Sequence, residues 1–255
     1  MNGARATTVL ETRALGAGYE PDLPIVRDID FALERGAFVA VLGPNGAGKS
    51  TFVKAIAGLL PVREGEVLLN GEPLDAHAPH RMVHRGLAFV PQTENIFATM
   101  SIHDNLALCA SIIDDRERRA TRLEAAYALF PDLARRPSLL AGKLSGGQRQ
   151  MLATARALLL EPDVLMLDEP SAGLSPKLVE EVLASLERVR ASGVSLLLVE
   201  QNVRAALALA DEAIVLVEGR LRHRGPAAEL AEGSLLGALF LGRDPTLAER
   251  AERRP

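Results

Sequence analysis

The sequence predicts an α/β fold with a mostly parallel β-sheet, an antiparallel β flank and an inserted helical subdomain. Short apolar runs of four to six residues recur along the chain, with helical patterns between them. Two Gly-containing dipeptides follow apolar runs, and the strand pattern disappears between about 93 and 142. The first observation predicts the parallel sheet, the second the antiparallel flank and the third the helical subdomain.

Five apolar runs are expected to be strands buried on both faces, because their apolar residues are hardly interrupted by polar ones. These runs are residues 38–42, 87–90, 164–167, 194–199 and 213–217. Helical patterns follow three of the runs, at 49–57, 178–190 and 203–210. Strands that alternate with helices favour parallel pairing through right-handed crossovers.

Two dipeptides predict hairpins at the flank of this sheet, Asn70-Gly71 and Glu218-Gly219. Helix formers and charged residues occupy 102–113 and 116–130, and strand patterns resume only after about 142. We therefore expect one domain from 8 to 243. Its core comprises about 8–92 and 143–243, its helical subdomain comprises about 93–142, and the polar ends 1–7 and 244–255 are expected to be flexible tails.

The composition is that of an ordinary globular protein, with 48% hydrophobic and 24% charged residues. A net charge of −4 gives no general attraction to nucleic acid, and a single cysteine cannot form an internal disulfide. No segment approaches the roughly 18 uncharged apolar residues of a membrane span, and the first residues lack the apolar core of a secretory signal. We expect a cytoplasmic chain that reaches a membrane only through a partner.

A glycine-rich segment between the first apolar run and its helix is the strongest candidate site. It reads Gly-Pro-Asn-Gly-Ala-Gly-Lys-Ser, a phosphate-binding loop in the strand–loop–helix context that this motif requires. Backbone N–H groups and the helix N-terminus would cradle phosphate, Lys49 would reach the β- and γ-phosphates and Ser50 would ligate Mg²⁺. A chance Gly-rich turn is the alternative. The predicted binding residues are Gly43, Pro44, Asn45, Gly46, Ala47, Gly48, Lys49, Ser50 and Thr51.

Two carboxylates end the third apolar run, Asp168 and Glu169. Ligands of open α/β sheets bind at the carboxyl ends of the strands, so this pair is expected beside the phosphate loop. Asp168 suits a contact with Mg²⁺, and Glu169 suits a general base that holds the attacking water. The alternative is a turn or helix-capping carboxylate.

The segment Leu144-Ser145-Gly146-Gly147-Gln148 precedes a helical stretch and offers a second set of backbone donors at a helix start. Here the sequence resembles the ATP-binding cassette (ABC) family, whose signature is Leu-Ser-Gly-Gly-Gln. The resemblance extends from Leu10 to about Gly242, and the motifs occur in the family's order. It implies a P-loop NTPase (RecA-like) core, ATP and Mg²⁺ as ligands, and ATPase activity.

The resemblance also implies a head-to-tail dimer, in which Ser145, Gly146, Gly147 and Gln148 of one chain close over the γ-phosphate held by the other. Tyr19 matches the aromatic residue that stacks on adenine; a half-buried structural tyrosine is the alternative. Gln92 matches the residue that senses Mg²⁺ and the γ-phosphate, with a plain polar loop residue as the alternative.

Two positions depart from the family pattern. Gln201 stands where a histidine usually contacts the γ-phosphate, and glutamine can donate a hydrogen bond but cannot carry a positive charge. Ser175 stands where aspartate is common. We expect Gln201 to act in catalysis, with hydrolysis that is slower or dependent on a partner subunit.

The segments around Gln92, Glu169 and Gln201 are similar to those of ATPases from importers of branched-chain amino acids and of urea or amides. That similarity implies integral membrane permease subunits and a second ATPase subunit, identical or different, as partners, with a periplasmic solute-binding protein acting indirectly. The chain would lie peripherally on the inner face of the membrane, where Ile96, Phe97 and Met100 are expected to line a groove for the permease. Alternatives are an exporter ATPase of the lipopolysaccharide type, a soluble non-transport cassette and a small-molecule P-loop kinase.

Overall fold

The computed structural model describes residues 8–74, 79–93, 95–231 and 234–240. The predicted tails, 1–7 and 244–255, lie outside the described residues, as do the last residues of the predicted domain, 241–243. The strands are β1 Thr8–Ala17, β2 Val26–Glu34, β3 Phe38–Leu42, β4 Val62–Leu69, β5 Glu72–Pro73, β6 Leu87–Val90, β7 Val164–Asp168, β8 Ser195–Val199, β9 Glu212–Val217 and β10 Arg220–Pro226. The helices are α1 Lys49–Ile56, α2 Pro79–Met82, α3 Ile102–Ala110, α4 Arg116–Leu129, α5 Pro131–Ala134, α6 Gly146–Leu158, α7 Pro176–Ala191, α8 Val203–Leu209, α9 Ala227–Ala231 and α10 Ser234–Phe240.

The central sheet has six strands in the order β10-β9-β3-β8-β7-β6. All neighbouring pairs from β9 to β6 are parallel, and only β10 pairs antiparallel, with β9. The five predicted apolar runs are these five parallel strands, so the parallel sheet is confirmed. Because β3 lies beside β8, with β7 next to it, the loops that follow these three strands emerge together at one edge.

Alternate residues of β3 belong to two different cores, which explains why this strand carries no polar residue. Phe38, Ala40 and Leu42 pack with the helices α3 and α6 on one face of the sheet. Val39 and Val41 pack with α1 and the antiparallel strands on the other face. A strand covered on both faces needs apolar residues at every position, as the sequence has here.

The antiparallel flank is a separate four-stranded sheet in the order β2-β1-β4-β5. Both predicted hairpins form: Leu69 pairs with Glu72, and Val217 pairs with Arg220. In each turn the two central residues have positive φ, 53° and 79° at Asn70-Gly71, which matches the twist of the flanking strands. The flank is larger than the hairpin signals alone indicated, because β1 and β2 belong to it.

Helices occupy the described residues between β6 and β7, from α3 to α6. Ser101 begins α3 with a capping box, in which its hydroxyl accepts from the Asp104 N–H and the Asp104 carboxylate accepts from the Ser101 N–H. The helix predicted at 102–113 ends at Ala110, with Ser111 as its C-cap, and the helix predicted at 116–130 ends at Leu129. This helical layer covers the face of the sheet that Phe38 faces.

Candidate functional site

A cavity of about 380 Å³ lies where the loops after β3, β7 and β8 meet. Its floor is formed by the phosphate loop and the first residues of α1, and Glu169 and Gln201 form its wall from the two neighbouring strands. The lining residues are Ile25, Asn45, Gly46, Ala47, Gly48, Lys49, Ser50, Thr51, Glu169 and Gln201. The strand order thus brings together residues that are far apart in the sequence.

The phosphate loop turns sharply from β3 into α1, and its glycines make that turn possible. Gly43, Gly46 and Gly48 have φ values of 152°, 80° and 96°, which residues with a side chain rarely adopt. A Cβ on Gly43 would also lie 2.2 Å from the carbonyl oxygen of Leu216. Gly48 is the N-cap of α1 and supplies no side-chain acceptor, so the first N–H groups of the helix remain available for a ligand.

Lys49 is held inside this loop. Its side chain is only 5% exposed, and its Nζ donates to the carbonyl oxygens of Gly43 and Pro44 at 2.9 and 3.1 Å. Burial lowers the pKa of Lys49, and the nearby charges of Glu169 and Asp168 oppose that shift. A buried ammonium beside free backbone donors is arranged to bind a multiply charged anion.

Ser50 and Asp168 meet across 118 residues of sequence. The Ser50 hydroxyl donates to the Asp168 carboxylate at 2.9 Å, and burial raises the pKa of Asp168. Among the described residues, no group of three or more His, Cys, Asp or Glu side chains could hold a metal. One carboxylate and one hydroxyl suit Mg²⁺ instead, because this ion is usually held by one or two protein oxygens together with substrate phosphates.

Glu169 is buried and lies in the left-handed region, with φ of 50°. Its Oε2 accepts hydrogen bonds from two side-chain amides, Gln92 Nε2 at 3.1 Å and Gln201 Nε2 at 2.9 Å. The left-handed conformation turns Glu169 away from the direction of Asp168, which continues β7. The two adjacent carboxylates therefore face different partners, one bound to Ser50 and the other held by two glutamines.

The Ser-Gly-Gly-Gln segment begins α6 and lies outside the cavity. Ser145 is the N-cap, its hydroxyl accepts from the Gln148 N–H at 3.2 Å, and the Gln148 Oε1 accepts from the Ser145 N–H at 3.2 Å. A Cβ on Gly146 would lie 2.5 Å from the Leu174 side chain, so only glycine fits here without a shift of that side chain. None of Ser145, Gly146, Gly147 and Gln148 lines the cavity.

Comparisons with known proteins agree with this arrangement. The family model described as ABC transporter matches residues 26–172, more than half of the chain. The chain belongs to the ABC transporter family. It is 43% identical over 235 residues to the probable branched-chain amino acid transport ATP-binding protein LivF of Archaeoglobus fulgidus, a match that covers 92% of this chain and 99% of that protein.

A second relative and a solved structure are also similar to this chain. The lipopolysaccharide export system ATP-binding protein LptB of Escherichia coli strain K12 is 32% identical over 222 residues, which cover 86% of this chain and 92% of LptB. A nucleotide-free ATP-binding cassette from an ABC transporter has the same fold, with a TM-score of 0.81 at 22% identity over 92% of this chain and 97% of that one. The predicted fold class and the predicted ABC ATPase activity are thereby confirmed, and nucleotide binding is part of that activity.

Two residues predicted to bind the nucleotide or Mg²⁺, Tyr19 and Gln92, do not line the cavity. Tyr19 is 58% exposed and does not line the cavity, although Ile25 from the same segment does. Gln92 is exposed on the loop after β6 and reaches the cavity only through Glu169. Within the described residues, none of the helices combines the length and the apolar character that crossing a bilayer requires.

Sequence reasoning assigned no role to three residues that contact this site. Ile25 lines the cavity, and the buried pair Ser171 and Glu200 lies directly behind it. Glu200 ends a strand in the same way as Asp168 does, with a carboxylate directly after an apolar run. That signal was present in the sequence, but its partner, 29 residues away, could be found only in the structure.

Proposed function

We propose that this cassette is the ATP-hydrolysing subunit of an ABC importer for branched-chain amino acids or related small solutes. Its 43% identity to the LivF protein over nearly the whole of both chains supports that solute class. The observation that carries the hydrolytic role is the Glu169 carboxylate, held by two amides at the wall of a cavity whose floor is a phosphate loop.

ATP binds with its phosphates in the cavity. The free N–H groups of the phosphate loop and of the first turn of α1 donate to the phosphate oxygens, and Lys49 exchanges one or both of its carbonyl partners for the β- and γ-phosphates. Thr51 lines the same floor and donates to the α-phosphate. Tyr19 is exposed on the segment that leads to Ile25, where its ring is available to stack on adenine.

Ser50, Asp168 and Gln92 would hold Mg²⁺. All three offer oxygen ligands, and Gln92 uses its amide nitrogen for Glu169, which leaves its oxygen for the ion. When bound, Mg²⁺ neutralises the charge that develops on the β- and γ-phosphate oxygens during transfer. The raised pKa of Asp168 has its cause in burial, and a cation beside the carboxylate would offset that penalty.

Glu169 acts as the general base. The amides of Gln92 and Gln201 both donate to Oε2, so Oε1 is the oxygen that takes the proton from the attacking water as the water adds to the γ-phosphorus. Gln201 orients this carboxylate and can turn its amide toward the γ-phosphate when a nucleotide is present. Because Gln201 stays uncharged, it contributes a dipole rather than a full charge to the transition state.

The site is completed by a second ATPase subunit in a head-to-tail dimer. The N–H groups of Gly146 and Gly147 have no capping partner, and with Ser145 and Gln148 they are proposed to close over the γ-phosphate held by the other subunit. Closure then depends on ATP, and hydrolysis releases it. Residues 93–142 are proposed to act as the helical subdomain that carries this end of α6.

A permease subunit is proposed to dock beside the loop after β6, which would place the chain peripherally on the cytoplasmic face of the membrane. A groove of about 340 Å³ lies there, lined by residues that include Val90, Asn95, Cys109, Ile112 and Arg156. None of the three apolar loop residues that were predicted to line a permease groove lines this one. Ile96 packs against the core and Met100 is half-buried. Phe97 is 46% exposed, with the Arg156 guanidinium 4.7 Å from its ring centre.

The experiment that tests this function measures uptake of labelled leucine by cells from which the gene has been deleted. Wild-type chain supplied in trans should restore uptake, and the Glu169→Gln variant at equal abundance should not. Restoration of an export defect without any effect on uptake would assign the chain to an exporter. No effect on either process would remove the transport assignment, whereas ATP hydrolysis by the purified chain can be measured independently.

A further inference from the structure

The buried carboxylate of Glu200 lies outside the cavity and accepts hydrogen bonds from three residues, Ser171, Gln201 and Asn202. Its Oε1 accepts from the Ser171 N–H at 2.9 Å, and its Oε2 accepts from the Ser171 hydroxyl at 2.8 Å. Oε2 also accepts from the backbone N–H groups of Gln201 at 3.1 Å and Asn202 at 3.4 Å. The side chain is 2% exposed, so no water competes for these bonds.

These bonds join the two loops that carry the residues of hydrolysis. Ser171 lies two residues after Glu169 on the loop that follows β7, and Gln201 lies directly after Glu200 on the loop that follows β8. The loops also meet at the cavity, where the Gln201 amide donates to Glu169. Glu200 on the buried side and Glu169 on the cavity side therefore close a ring of hydrogen bonds.

We propose that Glu200 is a positioning residue for ATP hydrolysis: its carboxylate binds Ser171 and the backbone of Gln201 together, and so holds the Gln201 amide on Glu169. This inference rests on the proposed role of Glu169 as general base. Glu200 itself lines no part of the cavity, so its effect reaches the reaction only through the two loops.

The chemistry of the site favours a specific role over simple filling of space. Burial raises the pKa of Glu200, because a buried position disfavours the charged form of a carboxyl group. Four donors directed at two oxygens compensate for that burial. An apolar residue would fill the space without this cost but could not bind either loop, so what the carboxylate contributes is the fixed position of the loops.

The positioning role predicts a loss of turnover without a loss of nucleotide binding. Glu200→Gln keeps the shape, but its amide has one acceptor oxygen, and its NH₂ group would face donors. Hydrogen bonds to a charged acceptor are stronger than those to a neutral one, so kcat should fall by roughly 10- to 100-fold. Ser171→Ala removes the hydroxyl and keeps the backbone donor, so kcat should fall about 3- to 10-fold. Affinity for Mg-ATP should stay within about twofold of the wild type in both variants.

The matched control is Ser185→Ala. Ser185 is also a buried serine, but its hydroxyl donates to the Val182 carbonyl within α7 and not to either loop. It should lose a similar amount of stability to Ser171→Ala and retain its kcat. The kcat of the double variant Glu200→Gln/Ser171→Ala should lie within about twofold of that of Glu200→Gln. The reason is that both changes disrupt the same hydrogen bonds between Glu200 and Ser171.

The measurements are steady-state hydrolysis, titration of a fluorescent ATP analogue with Mg²⁺ and thermal unfolding, all on the purified full chain. An unchanged kcat in folded Glu200→Gln or Ser171→Ala would overturn the proposal, as would an equal loss of kcat in Ser185→Ala. A fall in nucleotide affinity that parallels kcat would show a structural role only. If Glu200→Gln does not fold, Ser171→Ala against Ser185→Ala decides. Near wild-type turnover by Glu169→Gln would contradict the role of Glu169 as the base, and that outcome is distinct from an unchanged kcat in Glu200→Gln or Ser171→Ala.

Discussion

Two helix starts carry the residues proposed to bind phosphate, and their local chemistry differs. At α1 the N-cap is Gly48, which has no side chain to satisfy the helix, and the buried Lys49 adds a positive charge. At α6 the N-cap is Ser145, which forms a complete capping box with Gln148. The start of α1 leaves its N–H groups free for an anion bound by the same chain. The start of α6 is capped by its own side chains, so only the N–H groups of its first two residues are left for a ligand.

This difference agrees with the proposal that one half of the site is complete within a single chain and the other half is supplied by a second subunit. The cavity gathers the loops after three strands, and buried residues hold each of its functional groups. The Ser-Gly-Gly-Gln segment lies outside that cavity, at a helix start where Ser145 is exposed and Gly147 is buried. Changes in the first half should therefore abolish chemistry or binding by one chain, and changes in the second should act on association.

The largest effect is expected for Glu169→Gln. Removal of the general base should lower kcat by about 10²- to 10⁴-fold, while affinity for Mg-ATP is kept because the phosphate loop is untouched. ATP should then hold the variant in an associated state, seen as a larger species in size-exclusion chromatography with Mg-ATP. Near wild-type turnover would exclude Glu169 as the base.

The next largest effect is expected for Lys49→Ala. Loss of the charged donor inside the phosphate loop should weaken ATP binding by roughly 100-fold, since bonds between charged groups contribute about 1.5–3 kcal/mol each. Isothermal titration with Mg-ATP measures the change. Lys177→Ala, at an exposed lysine of α7, is the control for the loss of one positive charge and should bind as the wild type does.

Ser145→Ala tests the other half of the comparison. The variant should bind ATP normally as a single chain, but ATP-driven association should weaken by about 3- to 30-fold, in line with the 0.5–2 kcal/mol of a lost cap and a lost hydroxyl donor. Analytical ultracentrifugation measures this in a Glu169→Gln background. Ser101→Ala is the matched control, because Ser101 begins α3 with the same kind of capping box. Equal weakening in both variants would mean that stability of the helices, and not contact with a ligand, is measured.

A smaller effect is expected for Gln201→His. Among the described residues, none that lines the cavity is a histidine, so the kcat of the wild type should vary little between pH 6 and 8. Histidine has an ordinary pKa of about 6.5, so the variant should gain a dependence on pH of about threefold or more in that range. The same pH profile in both proteins would show that this side chain does not face the reacting phosphate.

The smallest effect concerns stability in the absence of nucleotide. Burial raises the pKa of Asp168 in the folded chain, so ionisation of this carboxyl lowers the free energy of unfolding as the pH rises through that pKa. Asp168→Asn removes the charge and keeps an oxygen for Ser50. Its Tm should exceed that of the wild type by about 2–4 °C at neutral pH, and the difference should shrink as the pH falls toward 4. An equal or lower Tm at neutral pH would contradict this cause.

Much of the cavity could be predicted from the sequence, because its parts are contiguous motifs. The residues from Gly43 to Thr51 specify a turn and a helix start by local backbone geometry, and the apolar run before Asp168 places that carboxylate at a strand end. Of the antiparallel flank, the sequence predicted only the hairpin at Asn70-Gly71, because the second hairpin belongs to the central sheet. The long strand β1 of the flank has irregular pairing near Arg13 and Gly16, so its residues do not alternate in a simple way.

The sequence by itself determined the parallel fold and the shape of the glycine-rich loop that is proposed to bind phosphate, since both follow from patterns of neighbouring residues. Only the tertiary structure decided that Gln92 and Gln201 share one oxygen of Glu169, and that Glu200 binds the two loops from behind. Those partners are 29 to 77 residues apart. Their approach depends on which strands lie side by side in the sheet, and no local pattern of residues records that order.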